Sequence, residues 1–351
     1  SKLIDRNHPM SSFETLSHQF KRIANVKLWN HISGIFLVGI KIEEQSDIYW
    51  CSLLNNPDES YGITIYRGST GLESFKLLIQ NQSDEYEPEV ATNLDAISIT
   101  LEKKADLPEA YIKLLDNNAC LHCDDDFYAI PSSTQVGKPM SLADNREVAI
   151  ASKVLERFAD FMQPLTGTGL KLHGTEYILL PNDEALFSQW QSYRIKLSDY
   201  ELDHRSLLDL PIDPGYKTSL TDLEIQGTIW EVHECYSPMV ITDHSSGPYY
   251  PRMILVINKE QGQILAHEIF EFGQYSQNVF LATIIEGFEF SKYIPCEVEV
   301  KSKSAHLLLN DLLSDFDVDV NLVESLPNSE HCLRSMAAHF MRQNSNETKQ
   351  D

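Results

Sequence analysis

The chain has 351 residues, enough for two domains with cores of ordinary size, and its 42% hydrophobic content marks a globular protein. Fifty-two acidic residues against 28 Lys and Arg leave a formal charge of −24 and a pI near 4.8. That balance argues against general binding to nucleic acid or an anionic membrane, both of which require a positive face to displace counterions. No run approaches the roughly 20 apolar residues of a membrane span, and the first ten residues, with Lys2, Asp5 and Arg6, lack the apolar stretch of a secretory signal. The expectation is a soluble, cytoplasmic protein with no membrane partner. Six scattered cysteines, Cys51, Cys120, Cys123, Cys235, Cys296 and Cys332, agree with reduced thiols rather than a disulfide framework.

In chain order, the spacing of Phe13, Leu16, Phe20 and Ile23 predicts a helix over Ser12 to Val26. Ile35 to Ile42, Tyr49 to Leu54 and Tyr61 to Tyr66 read as strands, Gly68 to Gln80 as a helix, and Ala96 to Leu101 as a fourth strand. Helices follow at Pro108 to Asn117 and Arg146 to Met162. Gly68-Ser69-Thr70-Gly71 opens a helix after a strand, where amides can meet an anion, but it lacks the lysine and spacing of a P-loop. An ordinary helix cap accounts for it. Cys120-Leu121-His122-Cys123, followed by three aspartates, has ligand-like spacing but no second pair to complete a four-ligand zinc site. No metal and no cofactor is expected. Residues 1–165 therefore read as an α+β domain.

Residues 166–225 read as a β-rich connection. Tyr177 to Leu180 and Phe187 to Leu197 suggest two short strands, and Asp203 to Asp222, with Pro211, Pro214 and Gly215 among charges, suggests a linker. The second domain spans 226–343. It opens with a strand at Thr228 to Tyr236, a long loop at Ser237 to Pro251, and a hairpin of Met253 to Ile257 and Gln263 to Phe270 around a turn ending in Gly262. A helix at Gln277 to Ser291, a strand from Pro295 to Val300, a helix at Ala305 to Phe316, a strand at Val318 to Val323 and a helix at Ser329 to Arg342 follow. The polar stretch 344–351 reads as a disordered tail. The fold class is thus α/β. Three antiparallel strands followed by alternating helices and strands is the order of the RNase H-like fold shared by retroviral integrases and many transposases, an analogy of fold and not of function.

Trp230-Glu231-Val232, Pro248-Tyr249-Tyr250-Pro251-Arg252 and Gly262 through Glu268 resemble an uncharacterised family of bacterial domains of unknown function. Tyr49-Trp50-Cys51, Tyr61 through Tyr66 and Gly71 through Phe75 resemble a second such domain placed upstream. The resemblance implies a two-domain family and carries no activity. In the family pattern an aspartate often stands at the position of His233.

RNase H-like enzymes hold two divalent ions between a carboxylate on the first strand and another at the end of the fourth. Here the first-strand position is His233, flanked by Glu231 and Glu234, while the later strand ends in Lys301-Ser302-Lys303. A lysine thus stands where a metal would sit. Glu297, Glu299, Asp311 and Asp315 read as solvated faces. His267 and Glu268 are further candidates to pair with His233 or His244, and a cysteine hydrolase would need Cys235 beside His233 or His267. Tyr236, Tyr249, Tyr250 and Arg252 suit contact with a protein, or anchor their loop on the core. The expected function is non-enzymatic binding or regulation on an RNase H-like scaffold with a protein partner. The alternative is a diverged metal-dependent nuclease or nucleotidyl transferase.

Overall fold

The computed structural model describes residues 11–33, 36–43, 47–56, 60–81, 87–173, 176–180, 184–195 and 211–347. They form two units, one from Ser1–Gln80, Leu94–Val136 and Met140–Asp203, the other from Asn81–Asn93, Gly137–Pro139 and His204–Asp351. Two stretches inside the span that the sequence groups with the first domain thus belong to the second unit.

The first half of the chain runs α1 (Ser12–Asn25), β1 (Ile32–Ser33), β2 (Phe36–Ile40), β3 (Tyr49–Asn56), β4 (Ser60–Arg67), α2 (Gly68–Gln80), α3 (Pro88–Asn93), β5 (Ala96–Lys103), α4 (Glu109–Asn117), β6 (His122–Asp124), β7 (Phe127–Gln135) and β8 (Lys138–Leu142). It continues through α5 (Asn145–Met162), α6 (Leu165–Thr168), β9 (Leu172–His173), β10 (Glu176–Leu180) and β11 (Arg194–Ile195). The strands order β11-β10-β2-β3-β4-β5-β7-β6, with β8 also on β7 and with β1–β9 as a separate parallel pair. Alternation along the strands serves two cores. Ile63 and Ile65 join Leu16, Phe20, Leu155 and Phe158 of α1 and α5, whereas Tyr66 joins Trp50, Leu72 and Phe75. Reciprocal capping boxes, Ser11 with Glu14 and Asp144 with Glu147, fix where α1 and α5 begin.

The strands β6, β7 and β8 go beyond the sequence reading, because their residues 122–142 carry Pro131, Gly137 and four Ser or Thr side chains that obscure the strand period. Phe187–Tyr193 is a 3-10 turn rather than a strand, and only Arg194–Ile195 pairs with β10. Residues 196–210, including part of the predicted linker, lie outside the described residues, as do residues 1–10.

The second unit adds α7 (Pro214–Thr218), β12 (Glu224–Tyr236), β13 (Arg252–Asn258), β14 (Gln263–Phe270), α8 (Gln277–Ser291), β15 (Tyr293–Val300), α9 (Lys303–Leu312), β16 (Asp319–Leu322) and α10 (Pro327–Glu347). Its sheet orders β14-β13-β12-β15-β16. The first three strands are antiparallel, and β12, β15 and β16 run parallel. The hairpin forms as its turn residues dictate: Gly262, at φ +63, donates to the Asn258 carbonyl at 2.8 Å. Along β12, Trp230 and Val232 enter a core with Phe280, Phe288, Val298 and Leu309, and Trp230 stacks on Phe288 at 4.9 Å. Cys235, on the opposite face, joins Met253, Leu255, Ile257 and Leu333 of α10. Two expectations are corrected here. Ile212 and Leu220 of the predicted linker are buried in the unit's core, and α10 continues to Glu347, through the first part of the predicted tail. Residues 348–351 lie outside the described residues.

Gly71 in α2 shows how closely the first unit is packed, because a Cβ there would stand 2.6 Å from the Tyr66 carbonyl carbon and 2.9 Å from the Asp95 oxygen. Both are backbone atoms that cannot swing aside. Gly71→Ala is expected to lose about 1–3 kcal/mol of stability, read as a lower urea midpoint with unchanged slope.

Candidate functional site

The residues singled out on β12 divide between the two faces of the sheet, as a strand period of two requires. Glu231 is fully buried. Its carboxylate accepts from the Asn328 amide at 3.3 Å, the Asn328 side chain at 3.1 Å and the Ser329 amide at 2.9 Å. These are the first residues of α10, whose unpaired N–H groups and dipole favour a negative charge. Glu231 therefore caps a helix from a neighbouring strand. Across the sheet it pairs with Glu299, which is buried rather than solvated and is held by Lys259 at 2.6 and 2.7 Å.

His233 lies two residues along on the same face. Its Nδ1 is 2.6 Å from Ser329 Oγ and its Nε2 is 2.7 Å from Glu89 Oε1. Glu89 comes from α3, more than a hundred residues upstream in the chain. Its other oxygen accepts from Lys301 at 2.7 Å, and Lys301 also reaches Glu330 of α10 at 3.0 Å. A looser pair, Arg334 with Glu87 at 3.6 Å, joins α10 to the residue just before α3. Burial alone would raise the Glu89 carboxyl, but the hydrogen bond and charge of His233 and the Lys301 ammonium outweigh it and bring its pKa down from 4.5 to about 2. Burial likewise opposes the Lys301 charge, yet Glu89 and Glu330 hold its pKa above the ordinary lysine value.

Ser329, His233 and Glu89 have the residue types of a nucleophile, base and orienting acid. Chemically the arrangement is closed: Ser329 is fully buried and His233 nearly so, leaving no approach for a substrate. Cys235 is also buried, and that burial pushes its thiol pKa up, away from the thiolate a nucleophile requires.

Glu234 points to the other face. It accepts from Arg252 at 3.2 Å, Ser304 at 3.1 Å, Tyr275 and Ser302. The Arg252 guanidinium lies between two rings, 4.7 Å from Tyr236 and 4.5 Å from Tyr275. Tyr236 in turn rests on Gly137, at φ +75, where a Cβ would come within 2.6 Å of the ring. The Gly137 carbonyl accepts from the Tyr250 amide at 2.7 Å, and Tyr249 is buried after bridging to Ile241. The four residues of the candidate contact loop thus anchor it, and the exposed apolar side chains nearby are Val240 and Phe272.

His267 and Glu268 lie on exposed β14, two strands from His233 through Leu255. The structure does not bring them together with Glu231 and His233. In the first unit, His122 Nε2 donates to the Asp125 carbonyl at 2.7 Å, and burial raises the thiols of Cys120 and Cys123. Among the described residues no group of three or more His, Cys, Asp or Glu side chains is arranged to hold a metal ion. Glu89, Ser329 and Glu330 were missed in the sequence. Nothing local marks Glu89, whereas the start of a predicted helix at Ser329 was a signal that a carboxylate would be wanted there.

The strands, helices and internally paired acids define a two-domain α/β protein. Residues 13–176 match the family model described as a domain of unknown function (DUF7309), and residues 219–337 match another domain of unknown function (DUF6930). The chain belongs to an uncharacterised two-domain family carrying both. No curated protein and no solved structure matches it. No helix among the described residues is long and apolar enough to cross a membrane.

Since folding lowers the Glu89 pKa, the unfolded chain binds that proton more tightly. The stability this group supplies is complete above about pH 4.5 and is lost as pH falls towards about 2. Glu89→Gln should cost about 3 kcal/mol at neutral pH, with the gap from the parent protein narrowing through that window. Urea unfolding at a series of pH values measures it. A gap independent of pH would assign the loss to packing instead of charge.

Proposed function

We propose that the protein is a non-enzymatic binding or regulatory protein whose second domain is an RNase H-like scaffold and whose partner is another protein. The scaffold reading is supported by the β14-β13-β12-β15-β16 order, with three antiparallel strands and then two parallel ones linked by α8 and α9. One observation carries the functional reading: the ionisable groups in the buried half of the central strand, Glu231, His233 and Glu234, are already engaged within the unit. Glu231 caps α10, His233 binds Glu89 and Ser329, and Glu234 holds Arg252, Tyr275 and two serines. At the end of β15, Lys301 faces Glu89 and Glu330, and an ammonium in that place repels a divalent ion. Metal-assisted phosphoryl transfer needs carboxylates free to coordinate. Six free thiols support a reducing compartment, the cytoplasm.

The test is a calorimetric titration of the full chain with magnesium and manganese, beside an assay for cleavage of DNA and RNA. The whole chain is required, because a fragment beginning at β12 omits Glu89 and leaves His233 and Lys301 without their partner. The expected result is no saturable heat at millimolar metal and no cleavage. Saturable binding abolished by Glu231→Gln or Glu299→Gln, together with metal-dependent cleavage, would establish the nuclease alternative.

A further inference from the structure

The second unit ends on one side at β14, the terminal strand of its sheet. A terminal strand presents a row of backbone N–H and C=O groups that another extended chain can pair with. A bulge sets Leu265 out of register, but Ala266 through Phe270 pair regularly with β13, leaving their outer edge without a further strand among the described residues. Along β14 two large apolar side chains stand exposed, Ile264 at 43% and Ile269 at 42%, among the polar Gln263, His267 and Glu268.

The run leads into an aromatic cluster. Glu271 to Gln274 form a tight turn, closed by a 3.1 Å hydrogen bond and by Gly273 at φ +79, and the turn presents Phe272 with 47% of its surface exposed. Phe272 lies 5.5 Å from the Tyr249 ring and 5.4 Å from His244, which lies 5.3 Å from Tyr249. Tyr249 is buried, so the exposed ring rests on a rigid base, as anchors at protein interfaces do.

Charge selects the occupant. Asp243 precedes His244, Glu271 precedes Phe272, and Glu268 lies between them and Ile264; all three acids are exposed. No Lys or Arg occurs from Ser237 to Pro251 or from Glu260 to Ser291. Of the three cations flanking these stretches, Arg252 is turned to Glu234 and Lys259 to Glu299, and Lys292 stands at the far end of α8, as its C-cap. The surface is therefore an open strand edge with apolar side chains, an aromatic anchor at one end and uncompensated acids along it. From this combination we infer that the edge of β14 receives an extended, lysine- or arginine-bearing segment of a partner protein, which adds to the sheet as a further strand and seats an apolar side chain against Phe272. The inference rests on the binding role proposed above and names the partner's chemistry.

Fluorescence anisotropy of the full chain with a short labelled peptide of alternating lysine and valine tests it, with two control peptides. One has glutamate for lysine, and the other has proline at its central valine. Saturable binding of the lysine peptide alone is expected, weakened about tenfold by Phe272→Ala and by Glu268→Lys with Glu271→Lys. Phe272 is half exposed, so its replacement leaves the fold intact, which circular dichroism checks. The surface is refuted if the lysine peptide does not bind. It is refuted equally if the proline peptide binds as well, or if the variants change nothing, either of which would reduce the effect to bulk charge. A dimer in sedimentation that Phe272→Ala dissolves would assign the edge to a second copy of the chain. Failure here with the metal titration silent removes this surface alone, whereas metal-dependent cleavage removes the binding role itself.

Discussion

A carboxylate withdrawn from water costs several kcal/mol unless hydrogen bonds or an opposite charge replace its hydration. The second unit withdraws several at once around β12. Glu231 is fully buried and Glu299 nearly so, and Glu89 is largely buried against His233. Each is relieved by a different part of the chain: Glu231 by the start of α10, Glu299 by Lys259 in the hairpin turn, Glu89 by His233 and Lys301. The placement of α10, α3 and the hairpin turn is thus fixed by charge as well as by apolar packing. Moving any of them would strand a buried acid.

This dependence also decides what the sheet can do. A catalytic carboxylate must have lone pairs directed at a substrate or an ion, and the supporting groups must orient it without consuming it. On β12 the relation is reversed. The helix terminus whose positive end would suit an anionic ligand is occupied by Glu231, and Glu234 takes the hydroxyls that open α9. A serine, a histidine and a glutamate meet at hydrogen-bonding distance, and the same burial that brings them together closes them to solvent. Residue types alone would have suggested an active site here, and exposure is what separates a relay from a brace.

What could be read in the sequence follows the range of the forces involved. The hairpin of β13 and β14 was legible because Asn258 and Gly262 set a local turn, and the strands and helices that follow showed their periods within a few residues of each other. Residues 127–135 hide their strand because Pro131 and the run Ser132-Ser133-Thr134 interrupt the apolar pattern of a strand paired on both sides. Ile212 and Leu220 read as linker in the sequence because prolines and charges surround them, although their own side chains are apolar and enter the core. His233 and Glu231 stand out in the sequence by their place on the first strand of the second domain, whereas their partners carry no local signal of that pairing. Glu89 lies in a six-residue helix distant in sequence, and only the folded chain brings it to His233.

The internal pairs bear on the surface as well. Lys259 with Glu299, Arg252 with Glu234 and Lys301 with Glu89 are each close to neutral together, so they hold cations inside the unit without reducing the formal charge of −24. The excess acid must then lie on the remaining, more exposed side chains, where it repels itself and attracts positive partners from a distance of about a Debye length, ~8 Å at physiological salt. Three of the second unit's cations are thus committed to internal pairs, while acids such as Asp243, Glu268 and Glu271 face out. Association with a basic segment would relieve that repulsion and would weaken as salt rises, while the buried pairs, screened from solvent, would hold the sheet that presents it unchanged.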